Sequence, residues 1–159
     1  MLCGFENPTR MLLIDSGRVD RFRIMRALLR LCISVDCARS LEEAKDLVRT
    51  ACSIGAPYAA ICTEAELMDA SAAAIFDWLG NVCLGRCVGR RSATFVVITG
   101  VTSPGAVHAA FRAGCRGWLQ KPVDPTLLEH TLLELGLPGP HPPVKTVRGH
   151  SFGGDPEHR

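Results

Sequence analysis

The sequence predicts an α/β protein, a parallel five-stranded sheet wound on both faces by helices. Three observations carry this. Short, almost wholly apolar runs at 11–14, 33–37, 58–63, 94–99 and 115–120 have the composition of strands buried on both faces. Segments with apolar residues at helical spacing alternate with them along the chain. The polar residues that close these runs, Asp15, Glu64, Thr99 and Lys121, all fall at carboxyl ends, where a doubly wound sheet places its ligand crevice.

Met11, Leu12, Leu13 and Ile14 form the first strand. Residues 18–32 carry Phe22, Met25, Leu29 and Cys32 at helical spacing, with Arg21, Arg23, Arg26 and Arg30 outside that stripe, so the stripe is expected to face the core. Ser40 and Glu43 are spaced as a capping box, in which each side chain accepts the other residue's backbone N–H. The helix they open buries Leu41, Ala44, Leu47, Val48 and Ala51, and Gly55, Ala56 and Pro57 end it. An alanine-rich helix at about 70–80 is anchored by Ile75, Trp78 and Leu79. Ser103 and Asp124 each cap a helix whose first position is proline, Pro104 and Pro125. The last helix runs through Leu127, Leu128, Thr131, Leu132 and Leu135 to Gly136.

This divides the chain into an N-terminal extension at 1–9, a domain at 10–136 and a tail at 137–159. The tail carries Pro138, Pro140, Pro142 and Pro143, then glycines and histidines, a composition expected to stay disordered. Its His141, His150 and His158 lack regular metal-ligand spacing.

With 159 residues, 47% hydrophobic and 21% charged, the chain can build one soluble domain with a sizeable core. A net charge of +2 gives no broad footprint for nucleic acid or membrane. No apolar run is long enough to span a bilayer, and residues 1–16 lack a signal-peptide pattern, so a cytoplasmic location is expected. The eight cysteines include no CxxC pair, which argues against zinc. Cys32, Cys52 and Cys62 fall on apolar faces and are expected as unbridged thiols acting as small hydrophobes. Cys83 and Cys87, four positions apart, allow a minor reading as a redox sensor. Arg86, Arg90 and Arg91 read as a solvated basic loop.

The segment from Ala110 through Gly114, Trp118 and Lys121 to Pro122, continued by Asp124 to Leu128 and joined to Asp15 after the first strand, resembles bacterial response-regulator receiver domains of the CheY-like family. The resemblance covers residues 10–136. It implies a flavodoxin-like sheet of strand order 2-1-3-4-5, a cis Lys121-Pro122 bond, and a pocket of Asp15, Ser16, Glu64, Thr99 and Lys121. In that family the third strand ends in the aspartate that accepts phosphate, and a pair of acids after the first strand helps hold magnesium. Here the third strand ends in Glu64, the pair reads Asp15-Ser16, and residues 65–70 replace the usual proline-and-glycine segment. The span from Glu64 to Thr99 is also longer than the family's, with the excess expected at 80–91.

Magnesium demands an octahedron of hard, mostly anionic oxygens, so only a weakened site at Asp15 and Glu64 is expected, and no cofactor is required. Acyl phosphate formation needs a carboxylate held in line, with metal and lysine neutralising the developing charge. A misplacement of about 1 Å costs roughly 10²-fold. The resemblance, with these departures, implies a stand-alone pseudo-receiver without catalytic residues. Glu64 pairs with Lys121 and receives the Thr99 hydroxyl, which puts one negative charge about where a phosphoryl group would sit. A protein partner (a histidine kinase, an output protein or a second copy) is expected on the face of residues 104–113, 115–120 and 125–135, with His108, Arg112 and Trp118 on or near it. Neither nucleic acid nor membrane is expected as a partner. The alternative is a working phosphorelay receiver that uses Glu64 or Asp69 as acceptor.

Overall fold

A computed structural model describes residues 9–83, 93–100 and 103–137. The strands are β1 (Arg10–Ile14), β2 (Ser34–Ala38), β3 (Ala60–Thr63), β4 (Thr94–Thr99) and β5 (Gly117–Gln120). The helices are α1 (Arg18–Arg30), α2 (Leu41–Ser53), α3 (Ala72–Cys83), α4 (Pro104–Arg112) and α5 (Pro125–Glu134). All strand pairs are parallel and the order is β2-β1-β3-β4-β5, as the resemblance implies.

Side chains alternate along each strand, so a sheet with continuous apolar strands must be covered twice. Met11, Leu13, Cys62, Val96 and Ile98 join Ile24 and Leu28 of α1 and Leu128 and Leu132 of α5 in one core. Leu12, Ile14, Ile61, Phe95 and Val97 join α2, α3 and α4 in the other, through Ala44, Val48, Ile75, Leu79 and Ala110. The chain winds outward from β1 to β2 and then back past β1 to β3. This reversal opens a crevice at the carboxyl ends of β1 and β3. The Lys121-Pro122 bond is cis.

The buried stripe of α1 is not the expected one. Ile24, Ala27 and Leu28, with Leu31 just beyond the helix, face the core, whereas Phe22 and Leu29 are each 53% exposed. The helix carries two apolar stripes, both at helical spacing, and packing against α5 and the sheet selects the one that includes aliphatic Leu28 and Ile24. Cys32 lies past the helix in the left-handed region (φ 56°) and is exposed, so it belongs to the turn. In α3, Phe76 is buried and stacks on Phe95 at a centroid distance of 6.4 Å, while Trp78 is only half-buried.

At the start of α2 the Ser40 hydroxyl accepts the Glu43 N–H at 3.1 Å, but the Glu43 carboxylate takes the Arg39 N–H at 2.9 Å, not that of Ser40. The Asp69 carboxylate completes the cap, accepting the N–H groups of Leu41 (3.0 Å) and Glu42 (3.2 Å). The first three N–H groups of α2, which have no partner within the helix, are thereby satisfied. Ser103 and Asp124 cap α4 and α5 as expected.

Cys52 is disulfide-bonded, which corrects the expectation of an unbridged thiol; that expectation rested on sequence spacing, whereas a bridge depends on approach in space. Cys32, Cys37, Cys62 and Cys115 are reduced. Residues 1–8, Cys87, the side chain of Cys83, the basic loop, residues 84–91 of the stretch expected to hold the excess length, and the tail beyond 137 lie outside the described residues. Among the described residues no helix is long and apolar enough to cross a membrane.

Asp69→Ala is expected to destabilise the fold by about 1 kcal/mol, the usual worth of a helix N-terminal cap. Backbone N–H groups, that of Leu41 first, hold the Asp69 carboxyl below its ordinary value. A lowered folded value stabilises above the unfolded one of about 3.9 and is lost as pH falls. The difference between wild type and Asp69→Ala in urea unfolding should therefore begin to shrink below about pH 4 and disappear only at still lower pH.

Candidate functional site

The carboxyl ends of β1, β3, β4 and β5 converge on one ammonium group. Lys121 follows β5, and its backbone N–H bonds the Thr99 carbonyl at 2.9 Å. Its Nζ lies 2.7 Å from Asp15 Oδ2, 2.5 Å from Glu64 Oε2 and 3.3 Å from Asp20 Oδ2. Burial acts to lower the Lys121 pKa, but the neighbouring carboxylates of Asp15 and Glu64 outweigh it and hold the ammonium above the usual lysine range.

Asp15 is 2% exposed. Its Oδ1 accepts the Gly17 N–H at 2.7 Å, and a Cβ at position 17 would stand 3.1 Å from the same oxygen, so glycine permits the tight turn out of β1. Arg21 Nη1 donates to the Asp15 carbonyl at 2.9 Å and ties α1 to this turn. Asp15 Oδ2 faces the Lys121 ammonium and is otherwise enclosed. Glu64 follows β3, with its N–H on the Ile14 carbonyl at 2.9 Å. Its extra methylene lets the carboxylate fold back. Oε1 receives the Thr99 hydroxyl and the Ala65 N–H, while Oε2 meets Lys121.

The structure thus brings Asp15, Glu64, Thr99 and Lys121 together. Ser16 is exposed on the wall of the same cavity, which has a volume of about 350 Å³ and is lined also by Asp20 and Glu66. Asp20 is the residue the sequence reading missed. It sits in the first turn of α1, which starts at the carboxyl edge of the sheet, so an acid there reaches the crevice and also favours the helix N-terminus. Ser16 is uncharged, and Asp20 supplies a further carboxylate to the cluster.

Magnesium does not fit this donor set. Both Glu64 oxygens are already engaged, Ser16 offers a neutral oxygen, and an ammonium stands among the carboxylates. No group of three or more His, Cys, Asp or Glu among the described residues is arranged to hold a metal ion. Asp69 points away from the cavity to cap α2. His108 and Arg112 lie one turn apart and exposed on α4, and Trp118 is half-buried against the core shared by α2, α3 and α4. Burial pushes the thiol of Cys62 up to about 12 and also raises those of Cys37 and Cys115, which leaves all three poor nucleophiles.

No family profile and no curated protein matches the sequence. Solved structures do match in fold. A CheY-like response regulator receiver domain protein from Methanospirillum hungatei superposes with a TM-score of 0.69 at 16% identity, over 81% of this chain and 94% of its own. The chemotaxis response regulator CheY4 of Vibrio cholerae gives 0.66 at 20% identity, over 81% and 99%. A response regulator from Burkholderia pseudomallei, solved with a phosphorylated aspartic acid, calcium ion and citrate, gives 0.63 at 23% identity, over 78% and 66%. The chain has the fold of CheY-like response-regulator receiver domains.

Three acids share one cation, so the cation should matter most. Lys121→Met is expected to destabilise the fold by about 3–5 kcal/mol, the usual cost of stranding a buried charge. Glu64→Gln should cost less, because Asp15 and Asp20 still face the ammonium. Lys121 has a raised folded pKa, so its stabilisation is complete below the unfolded value of about 10.4 and fades as pH rises through the folded one. Urea unfolding should show wild-type stability falling above about pH 10.4 more steeply than that of Lys121→Met.

Proposed function

We propose that this chain is an atypical receiver module of two-component-type signalling that acts by protein contact and not by phosphorylation at residue 64. One observation carries the reading. The Glu64 carboxylate is held between the Thr99 hydroxyl and the Lys121 ammonium and accepts the Ala65 N–H as well. A nucleophilic carboxylate needs an oxygen free to approach phosphorus in line, and both oxygens here are engaged. The same contacts supply a fixed negative charge to the hydroxyl and the ammonium, one charge against the nearly two of a phosphoryl group. Such a module needs no enzymatic activity. Its contact surface is the face of α4, β5 and α5, where His108, Arg112, Phe111, Leu127 and Leu133 are exposed beside half-buried Trp118. The partner would be a histidine kinase, an output protein or a second copy.

Incubation with acetyl phosphate and magnesium, followed by intact mass measurement before and after hydroxylamine, tests the reading. The mass is expected to stay unchanged. A hydroxylamine-labile phosphoryl adduct on Glu64 or Asp69 would overturn it in favour of a working phosphorelay receiver.

A further inference from the structure

The edge strand β2 is only partly covered on the α1 side of the sheet, where Val35 and Cys37 are half-buried. Between this strand and α1 lies a groove of about 680 Å³. It shares no lining residue with the cavity of about 350 Å³ at the strand ends. One wall is a single face of α1, where Arg18, Arg21, Phe22 and Met25 follow helical spacing, with Val19 beside them. Cys37 of β2 stands opposite, and its thiol lies 3.9 Å from the Met25 sulfur, so the groove is closed where helix and strand meet.

The groove is apolar except for two guanidiniums, and no acid lines it. Among the described residues neither Arg18 nor Arg21 forms an ion pair. Asp36 and Glu43 act on the Cys37 thiol from outside the groove, and both are engaged elsewhere. Asp36 accepts from Arg10 and Tyr58, and Glu43 accepts the Arg39 N–H. Arg21 is half-buried, and its Nη1 donates to the Asp15 carbonyl at 2.9 Å. That bond fixes the guanidinium before any ligand arrives and leaves N–H donors on its other nitrogens to grip an anion. The Met25 thioether adapts to the shape it meets, and Phe22 offers an aromatic surface. The Arg26 guanidinium, which does not line the groove, stands 5.7 Å from the Phe22 ring centre and steadies it.

We propose that the groove between α1 and β2 binds a small amphipathic organic anion, an aromatic or short alkyl body carrying one carboxylate or sulfonate. Charge and volume decide the occupant. An inorganic anion meets the arginines but leaves Phe22, Met25 and Cys37 uncovered. A neutral apolar molecule covers those walls and leaves both guanidiniums without a partner. The volume is that of a small-molecule site, roughly 300–1,000 Å³. The body of the ligand displaces water from the apolar walls, while its anion takes a charge-assisted pair from Arg21 and the field of Arg18. Arg21 joins the bound anion to the turn after β1, because the same guanidinium holds the Asp15 carbonyl. The site needs no second protein to complete it, and its existence does not depend on how residue 64 behaves.

The test uses the full chain and two fluorescent probes of the same aromatic build, the anion 1-anilinonaphthalene-8-sulfonate and its uncharged counterpart N-phenyl-1-naphthylamine. The sulfonate is expected to bind saturably at one site. The neutral probe should bind at least about tenfold more weakly, as loss of a charge-assisted pair implies. Arg21→Met should weaken the sulfonate at least about tenfold and leave the neutral probe unchanged. Arg18→Met, at an exposed position, repeats the test without touching the Asp15 contact and should give a smaller loss of the same kind. Phe22→Ala should weaken both probes, and because the side chain is 53% exposed the variant should keep the wild-type circular dichroism. Leu29→Ala, equally exposed but outside the groove, should change neither. In protein with methyl-labelled methionine, the nuclear magnetic resonance signal of Met25 should move as the sulfonate saturates, while that of Met68, which is 94% exposed, stays in place. Equal binding of the two probes, or sulfonate binding that survives Phe22→Ala or leaves Met25 unmoved, would overturn the proposal. So would a Met25 shift produced as readily by inorganic phosphate, which would reduce the site to a pair of arginines.

Discussion

The Lys121 ammonium is the constraint on which the rest of the site depends. A parallel sheet brings its strand ends to one edge, and in this chain β1 and β3 end in acids while α1 adds Asp20 from its first turn. Carboxylates this close repel one another, and Asp15 has almost no contact with water to screen it. A single cation delivered by β5 turns the arrangement from repulsive to cohesive. It ties the ends of β1, β3 and β5 and the first helix together at the carboxyl edge of the sheet. The bond from the Lys121 N–H to the Thr99 carbonyl positions the chain there, so the ammonium is placed by backbone as well as by charge.

That constraint explains why glutamate suits position 64. An aspartate at the end of β3 would have a shorter reach. The longer side chain meets Lys121 with one oxygen and turns the other back to Thr99 and to its own neighbour's N–H. The carboxylate is therefore satisfied within the protein. Ser16 brings no charge to the cavity, whereas Asp20 adds a carboxylate from α1 that faces the lysine. The charges of the pocket are paired with one another.

Much of this was legible in the sequence because the strands are nearly pure in apolar residues and each closes on a polar side chain. The five strands, their carboxyl-end acids, the hydroxyl and the lysine could all be placed without coordinates, as could the serine and aspartate caps of α4 and α5. The errors share a cause. The phase of α1 is ambiguous in the sequence because Phe22 and Leu29 form a stripe as regular as that of Ile24 and Leu28, and periodicity cannot say which stripe the sheet will take. Asp20 is not legible as a site residue because it belongs to a helix, and only the folded geometry shows the first turn of α1 opening on the crevice. The roles of Glu43 and Asp69 at the α2 cap, and the bridge at Cys52, likewise depend on distances between segments that sequence spacing does not encode.

Phe22 and Leu29 are outside because Ile24 and Leu28 are inside, and the helix that presents them is anchored at its start by Asp20 and Arg21 to the charge cluster. The central claim remains that Glu64 and Lys121 act as one unit at the strand ends. A double-mutant cycle of Glu64→Gln and Lys121→Met, read by urea unfolding at neutral pH, measures this directly. The account predicts strong non-additivity, with a coupling of about 1–3 kcal/mol, and effects that add to within about 0.5 kcal/mol would contradict it.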